Sequence, residues 1–159
     1  FNLAAVTLVG QAIGAGKPEK AHTYTKGILK MNILAMSAIS AMIIAFASKI
    51  FALYTDDSNV IACGVDIIRI YAFSQPFLAI DHVLGGSLRG AGDTKYPMIT
   101  TFIGVWLLRL VFGYILGVVF DMGIRGVWIA MTIDLAIRSV LYFARYRKGN
   151  WRNVNNGGV

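Results

Sequence analysis

The sequence has little charge for its length and almost none of the residues that build disulfides or metal sites. Charged residues make up 14% of the chain, and there are one cysteine, Cys63, and two histidines. A soluble domain carries about 25% charged residues, so this chain has too few polar groups to cover a water-facing surface. A single cysteine forms no internal disulfide, and the histidines lie on different segments without metal-ligand spacing. The sequence therefore predicts neither a disulfide scaffold nor a metal site.

Apolar residues fill most of the chain, and the positive charge is kept apart from them. Of the 159 residues 57% are hydrophobic, against about 45–50% in soluble domains, and the net charge is +7. The lysines and arginines stand mainly between apolar segments and without interleaved aromatic residues. That pattern favours anionic lipid over nucleic acid as the partner. We therefore expect an all-α protein, a polytopic bundle of transmembrane helices in a lipid bilayer.

Apolar segments follow one another at 1–13, 31–48, 60–88, 96–120 and 126–144. The first is only about 20 Å long as a helix, which is too short for about 30 Å of hydrocarbon. Since the sequence opens at Phe1 inside this segment, we expect a fragment that lacks its N-terminal part. In the second segment Ser37, Ala41 and Ala45 repeat every four residues and predict the close approach of another helix.

Lysines and arginines mark alternate connections, as they do when helices cross a membrane in turn. The connections after the second and fourth segments hold Lys49 and Arg125. The other connections and the tail hold Lys17, Lys20, Lys26, Lys30, Arg89, Lys95, Arg145, Arg147, Lys148 and Arg152. By the positive-inside rule this basic side is cytoplasmic. We expect residues 1–146 to form a partial lobe in the plasma (inner) membrane and 147–159 a cytoplasmic tail, with fraying from Arg145 onwards.

Ionisable residues inside the apolar segments are the main functional candidates, because a charge at mid-bilayer costs roughly 2.5–3.5 kcal/mol on insertion scales. Counting along helices places Arg109 about 18 Å from the basic side and Asp134 about 13 Å from the opposite side, at similar depths. We expect Arg109 to pair with Asp134, with Arg138, one turn on, as the alternative partner. Such a pair either stabilises the bundle or takes part in moving an ion or a substrate.

Asp81 and His82 form a second polar site, about 12 Å inside the basic boundary of the third segment. As part of a transport pathway they would lie in a hydrated cavity near Gln75. As a purely structural feature they would form a polar patch close enough to the surface to stay wet. Both interpretations remain open from the sequence.

Catalytic and nucleotide-binding motifs do not accompany these residues. The stretch 10–17 superficially resembles a phosphate loop, but Gln11 stands where glycine is required and Pro18 where serine or threonine is required. Serine, histidine and aspartate occur without a nucleophile elbow. We therefore predict neither an enzyme nor a bound cofactor.

Three stretches together resemble the multidrug and toxic compound extrusion (MATE) family of transporters. Residues 9–21 are similar to the turn after the family's second and eighth helices, 86–97 to the turn after the fourth and tenth, and 123–130 to the entry into the last helix of a lobe. The matching residues of the two turns are Gly10, Gln11, Gly14, Gly16, Arg89, Gly90, Gly92, Asp93, Thr94 and Pro97.

In the second of these turns, we expect a structural or gating role rather than contact with a substrate. Arg89 and Asp93 have opposite charges and could pair across the turn. Thr94 directly precedes the next apolar segment, where threonine can cap a helix.

The resemblance implies a fold of twelve helices in two six-helix lobes, of which this chain would supply the C-terminal lobe from the end of the eighth helix onward. It also implies alternating-access export of cationic or amphipathic compounds in exchange for Na⁺ or H⁺. An acidic residue on the tenth helix of some members would lie near Leu78, which is apolar. Asp81, one turn away, is not a clean match, so we carry over no ion site. Alternatives are a flippase for lipid-linked saccharides, of the same broad fold group, and a non-transporting membrane scaffold or channel.

Overall fold

The computed structural model describes residues 1–149 and 151, and the regular structure of this part is helical throughout. Its five helices are α1 Asn2–Gly14, α2 Pro18–Ala52, α3 Ser58–Gly90, α4 Lys95–Val119 and α5 Gly123–Arg147. The predicted all-α class is confirmed, and each apolar segment of the sequence lies within one helix or ends within a residue of it.

Within the described residues, α2 to α5 are the helices long and apolar enough to cross a membrane. They contain 35, 33, 25 and 25 residues, which correspond to about 50 Å for the first two and about 38 Å for the others. Each exceeds the roughly 30 Å of bilayer hydrocarbon. The 13-residue α1 is too short to span it alone.

Local sequence signals set the helix boundaries. Gly16, with φ of 68°, turns the chain after α1, and Pro18 stands in the first turn of α2, where its missing N–H is not needed. The Asp57 carboxylate accepts a 2.8 Å hydrogen bond from the backbone N–H of Asn59 and caps α3. Gly92, with φ of 92°, turns the chain between α3 and α4.

Helix α3 lies at the centre and packs against α1, α2 and α5. The small-residue stripe predicted in α2 is exposed within the described part of the chain. The residues that α2 buries instead, besides two near its N-terminus, are Asn32, Ser40 and Ala47. Of its polar members, Asn32 donates a hydrogen bond to the Ala79 carbonyl, whereas Ser40 Oγ has no partner within the described residues.

The lysine- and arginine-rich connections meet at one end of the bundle, which we call the basic end. A Cβ on Gly10 would lie 3.1 Å from the Gly90 carbonyl oxygen, so α1 and α3 touch there. Asp93, after α3, pairs with Arg145 of α5 at 2.8 Å. The hydrophobic core at this end includes Val9, Ile13, Leu84, Leu88, Tyr142 and Trp151.

The C-terminal part of α5 is ordered by packing rather than frayed. Tyr146 stacks on Trp151 with ring centroids 4.8 Å apart, and the Trp151 indole donates a 2.9 Å hydrogen bond to the Tyr146 carbonyl. The Tyr146 hydroxyl also lies 2.9 Å from Nδ1 of His22 in α2. The predicted fraying is therefore wrong for residues 145–149 and for Trp151, and residues 150 and 152–159 lie outside the described part of the chain.

Candidate functional site

Four charged side chains from three helices meet inside the bundle, and we call them the charged quartet: Asp81 of α3, Arg109 of α4, and Asp134 and Arg138 of α5. Arg109 Nη2 donates a 2.8 Å hydrogen bond to Asp134 Oδ2. Arg138 Nε lies 3.3 Å from Asp134 Oδ1 and 3.7 Å from Asp81 Oδ1. The charges alternate along the chain of contacts. The predicted pair of Arg109 with Asp134 is confirmed, and Arg138 contacts the same carboxylate as well.

Burial explains why these four residues must stay together. Asp134 is fully buried, Arg138 and Asp81 are 7% and 9% exposed, and the side chain of Arg109 is 29% exposed. An unpaired charge in such surroundings is costly, whereas two carboxylates and two guanidinium groups sum to zero. Asp134 and Arg138 are one turn apart, so α5 presents both from the same face.

A π-helical stretch in α4 brings that helix into register with the quartet. The stretch runs from Gly104 to Arg109. In an α-helix two positions five residues apart point about 140° away from each other. In a π-helix the backbone bond joins residues i and i+5, so the two positions lie nearly above one another. Gly104 and Arg109 can therefore both face α5.

Gly104 is the point at which α4 makes its closest approach to the quartet. A Cβ added there would collide with Asp134 Oδ1 and lie 2.7 Å from Arg138 Cδ. Any larger residue would push α4 away from α5 or displace the two charged side chains. The glycine is therefore required by the site itself.

The contacts within the quartet are unequal. The hydrogen bond between Arg109 and Asp134 is short, whereas Arg138 Nε lies between two carboxylate oxygens and forms a hydrogen bond with neither within the described residues. Asp81 Oδ1 and Asp134 Oδ1 are correspondingly without a hydrogen bond there. The site is thus an ion-pair chain with one tight contact and two loose ones, of which the contact to Asp81 is the longest.

The contact between Asp81 and Arg138 is the feature that the sequence interpretation missed. Arg138 lies seven residues before Arg145, about 10 Å from the basic end, which is close to the depth inferred for Asp81. The same depth argument that found Arg109 could therefore have found this pair. The alternative of a wet surface patch at Asp81 is wrong, because the carboxylate is buried against Arg138.

Gln75 and His82 do not belong to the quartet. Gln75 lies six residues before Asp81, about 9 Å along α3, and lines a separate crevice against α2. His82 is only partly buried. Within the described residues, Gln75 thus lies apart from Asp81 and His82, and the hydrated cavity near them stays a prediction.

Two further expectations concern the turn between α3 and α4, and the structure corrects both. Asp93 pairs with Arg145, not with Arg89. The Arg89 guanidinium instead turns back along its own helix and donates to the Gly85 carbonyl at 3.1 Å. Thr94 stands at the N-cap position of α4, but its hydroxyl makes no capping hydrogen bond within the described residues.

Of the remaining residues of the two turns, Gly90 and Pro97 make contacts with neighbouring helices. A side chain at Gly90 would run into the backbone of Val6, and the Pro97 carbonyl accepts a 3.2 Å hydrogen bond from the Tyr142 hydroxyl. Gln11 and Gly14 are exposed. The described residues contain no group of histidine, cysteine, aspartate or glutamate side chains that could hold a metal ion.

Long apolar helices with a neutral, buried ion-pair chain between them define an integral membrane protein of the polytopic helical class. A sequence profile described as MatE matches residues 1–115, and the chain belongs to this family of multidrug and toxic compound extrusion transporters.

Relatives with curated names agree with this assignment. The probable multidrug resistance protein NorM of Thermotoga maritima is 32% identical over 155 residues, which are 95% of this chain and 32% of that protein. Human multidrug and toxin extrusion protein 1 is 29% identical over 154 residues, 97% of this chain and 27% of its own. The chain thus spans between a quarter and a third of the length of these relatives.

A solved structure has the same fold. It is an inward-facing conformation of a multidrug resistance MATE family transporter of the MOP superfamily, and it matches with a TM-score of 0.83 at 22% sequence identity. The match covers 96% of this chain and 36% of the other. The arrangement of α1 to α5 is therefore that of part of a MATE transporter.

Proposed function

We propose that this chain forms part of a secondary active transporter that exports cationic or amphipathic compounds in exchange for Na⁺ or H⁺. The five helices would form part of the C-terminal lobe, and an N-terminal lobe of the same protein would complete the central cavity for alternating access. The observation that carries the proposal is family membership over residues 1–115. The basic end would face the cytoplasm of a cell bounded by the plasma (inner) membrane, with the tail on that side.

Within the quartet, Asp81 is the carboxylate best suited to take up the coupling cation. Arg138 Nε lies 3.7 Å from it, whereas Asp134 is held by Arg109 at 2.8 Å as well as by Arg138 at 3.3 Å. A proton or Na⁺ that arrives at Asp81 therefore competes with the weakest contact in the chain. Once Asp81 is neutralised, Arg138 is attracted to Asp134 alone, and the contact between α3 and α5 weakens. Cation uptake would in this way be coupled to helix movement.

Ethidium efflux from proteoliposomes tests the transport proposal. The full-length protein is reconstituted, and efflux is followed under an imposed Na⁺ gradient or an imposed proton gradient. Efflux under one gradient, abolished by the matching ionophore, is the expected result. Absence of efflux under both gradients would refute antiport. The remaining alternatives would then be a flippase, which a lipid-flipping assay would test, and a non-transporting scaffold or channel.

Two variants of α3 test the role of Asp81. Asp81→Asn removes the carboxylate while keeping its size, and we expect coupled efflux to be lost. Asp57→Asn is the matched control, because Asp57 is exposed at the start of the same helix and asparagine caps as well as aspartate. Gradient-driven efflux by Asp81→Asn equal to that of Asp57→Asn would remove Asp81 from the coupling step.

A further inference from the structure

Helices α2 and α3 pack antiparallel with polar contacts at regular intervals. Thr25 donates to the Ser87 hydroxyl at 3.1 Å, and Asn32 donates to the Ala79 carbonyl at 3.3 Å. From one contact to the next, the position advances by seven residues on α2 and goes back by eight on α3, which is about two helical turns. A comparable step, of eight residues on α2 and seven back on α3, carries the series on to Ser40 opposite Ala72.

At this third position the series of contacts is interrupted by a crevice. It has a volume of about 160 Å³ and is lined by residues of α2 and α3 that include Ser40, Ala72 and Gln75. The lining from α2 is otherwise apolar and is formed by Met36, Ile39 and Ile43. The two helices therefore fail to close at the place where their register predicts the next polar contact.

Polar groups at the crevice lack the partners that the first two contacts have. Ser40 and Gln75 are 7% and 5% exposed, and Ser40 Oγ and Gln75 Nε2 have no hydrogen-bond partner within the described residues. Pro76 has no N–H, so the Ala72 carbonyl, four residues earlier, loses its usual helical donor. Buried polar groups normally find partners, so these groups indicate a bound molecule.

The composition of the lining restricts what that molecule can be. None of the described residues that line the crevice is charged, so an ion would lie there without a counter-charge. The volume is that of about five waters at roughly 30 Å³ each. A buried water needs two to four polar partners, so these few polar groups can hold one or two waters and leave the apolar part unfilled. The better fit is an organic molecule with an apolar body and one hydrogen-bond acceptor.

We propose that the crevice between α2 and α3 is a binding site for a small uncharged organic molecule, whose acceptor atom is held by Gln75 Nε2 and Ser40 Oγ. Its apolar body would lie against the isoleucines and the methionine of α2. The site is separate from the charged quartet, which lies farther along α3 toward the basic end. Binding there requires no ion gradient, so it can be measured independently of transport.

Fluorine NMR on the full-length protein in lipid nanodiscs tests this site with two probes of similar shape. The probe with a carbonyl acceptor is 4-fluoroacetophenone, and 4-fluoroisopropylbenzene is its counterpart without one. We expect the ketone to bind more tightly. Gln75→Leu and Ser40→Ala should each weaken ketone binding about three- to tenfold, the range of one hydrogen bond, and leave hydrocarbon binding unchanged.

The controls separate loss of the site from loss of the fold. Ser37→Ala changes an exposed serine on α2 that does not line the crevice, and it should alter neither affinity. Gln75→Leu and Ser40→Ala replace unpartnered buried polar groups by apolar ones, which should not destabilise the protein. Ala72→Leu fills the crevice and should abolish the binding of both probes.

Equal affinity for the two probes, ketone binding unchanged in Gln75→Leu and Ser40→Ala, or binding that survives Ala72→Leu would each overturn the proposal. Specific ketone binding by a protein that fails to export ethidium would support the crevice and refute transport. Ethidium efflux without specific ketone binding would support transport and refute the binding site in the crevice.

Discussion

Removing the carboxylate of Asp134 is the sharpest test of the charged quartet. Asp134 is fully buried and is the only member that contacts both arginines. Asp134→Ala leaves Arg138 buried with a single carboxylate 3.7 Å away and leaves Arg109 without its hydrogen bond. Removing one partner of a buried pair costs about 3–5 kcal/mol. We expect the loss for Asp134→Ala to lie within this range.

Arg109→Ala should cost less than Asp134→Ala. It leaves Asp134 with Arg138 at 3.3 Å, so the buried carboxylate keeps a partner. The side chain removed is 29% exposed, which also reduces the loss. We expect about 1.5–3 kcal/mol for this variant, the contribution of a hydrogen bond between charged groups.

Exchanging the two charges should restore stability only in part. In Arg109→Asp with Asp134→Arg, the new arginine lies one turn from Arg138 on α5, and like charges at that spacing repel. Full recovery would therefore mean that Arg138 does not share the Asp134 site. Partial recovery, above either single reversal, is the expected result.

The free energies of unfolding can be measured by denaturing-detergent titration of the full-length protein in micelles. Asp66→Asn is the control, since Asp66 and Arg125 form an exposed pair, 39% and 49% exposed, and such pairs contribute about 0–1 kcal/mol. The reasoning is refuted if Asp134→Ala costs no more than Asp66→Asn, or if Arg109→Ala costs more than Asp134→Ala.

Three further predictions follow from contacts of other residues. Gly104→Ala should destabilise the protein by about 1–3 kcal/mol through its collision with Asp134, whereas Gly113→Ala, with open space around its Cβ, should be neutral or slightly stabilising in the same titration. Asp93→Ala should free Arg145 and destabilise by about 1–3 kcal/mol, because Asp93 is 8% exposed, while the exposed Lys95→Ala on the same turn should change little. A membrane-impermeant amine reagent should label Lys20 and Lys49 from opposite faces of intact vesicles, and labelling of both from one face would contradict the topology.

Depth along a helix could be predicted from the sequence because the rise per residue is nearly constant. From that regularity the sequence predicts the pair of Arg109 with Asp134, two residues on different helices. The same reasoning would also have placed Arg138 beside Asp81. Direction around the helix is harder, because it depends on which faces the neighbours cover. The stripe at Ser37 looked like the contact face of α2, yet Asn32 and Ser40 are the residues turned toward α3.

The partner of Asp93, at the basic end, also depends on tertiary packing that the sequence does not reveal. Arg89 is four residues away in sequence, and Arg145 is 52 residues away, so a local argument favours Arg89. The turn at Gly92 carries the chain away from α3. The Arg89 side chain stays with its own helix and donates a hydrogen bond to the Gly85 carbonyl. Only the packing of α5 against the turn brings Arg145 within 2.8 Å.

The π-helical stretch of α4 shows how depth along a helix and direction around it combine at one residue, Arg109. Depth placed Arg109 level with Asp134, but an α-helix that turns Gly104 toward α5 would point Arg109 about 140° away from it. The π-helix between these two residues removes that conflict, so the glycine that permits close approach and the arginine that supplies the charge face the same carboxylate. The backbone geometry of α4 therefore decides whether Arg109 reaches Asp134, since the same residues in α-helical geometry would leave the arginine directed away from α5.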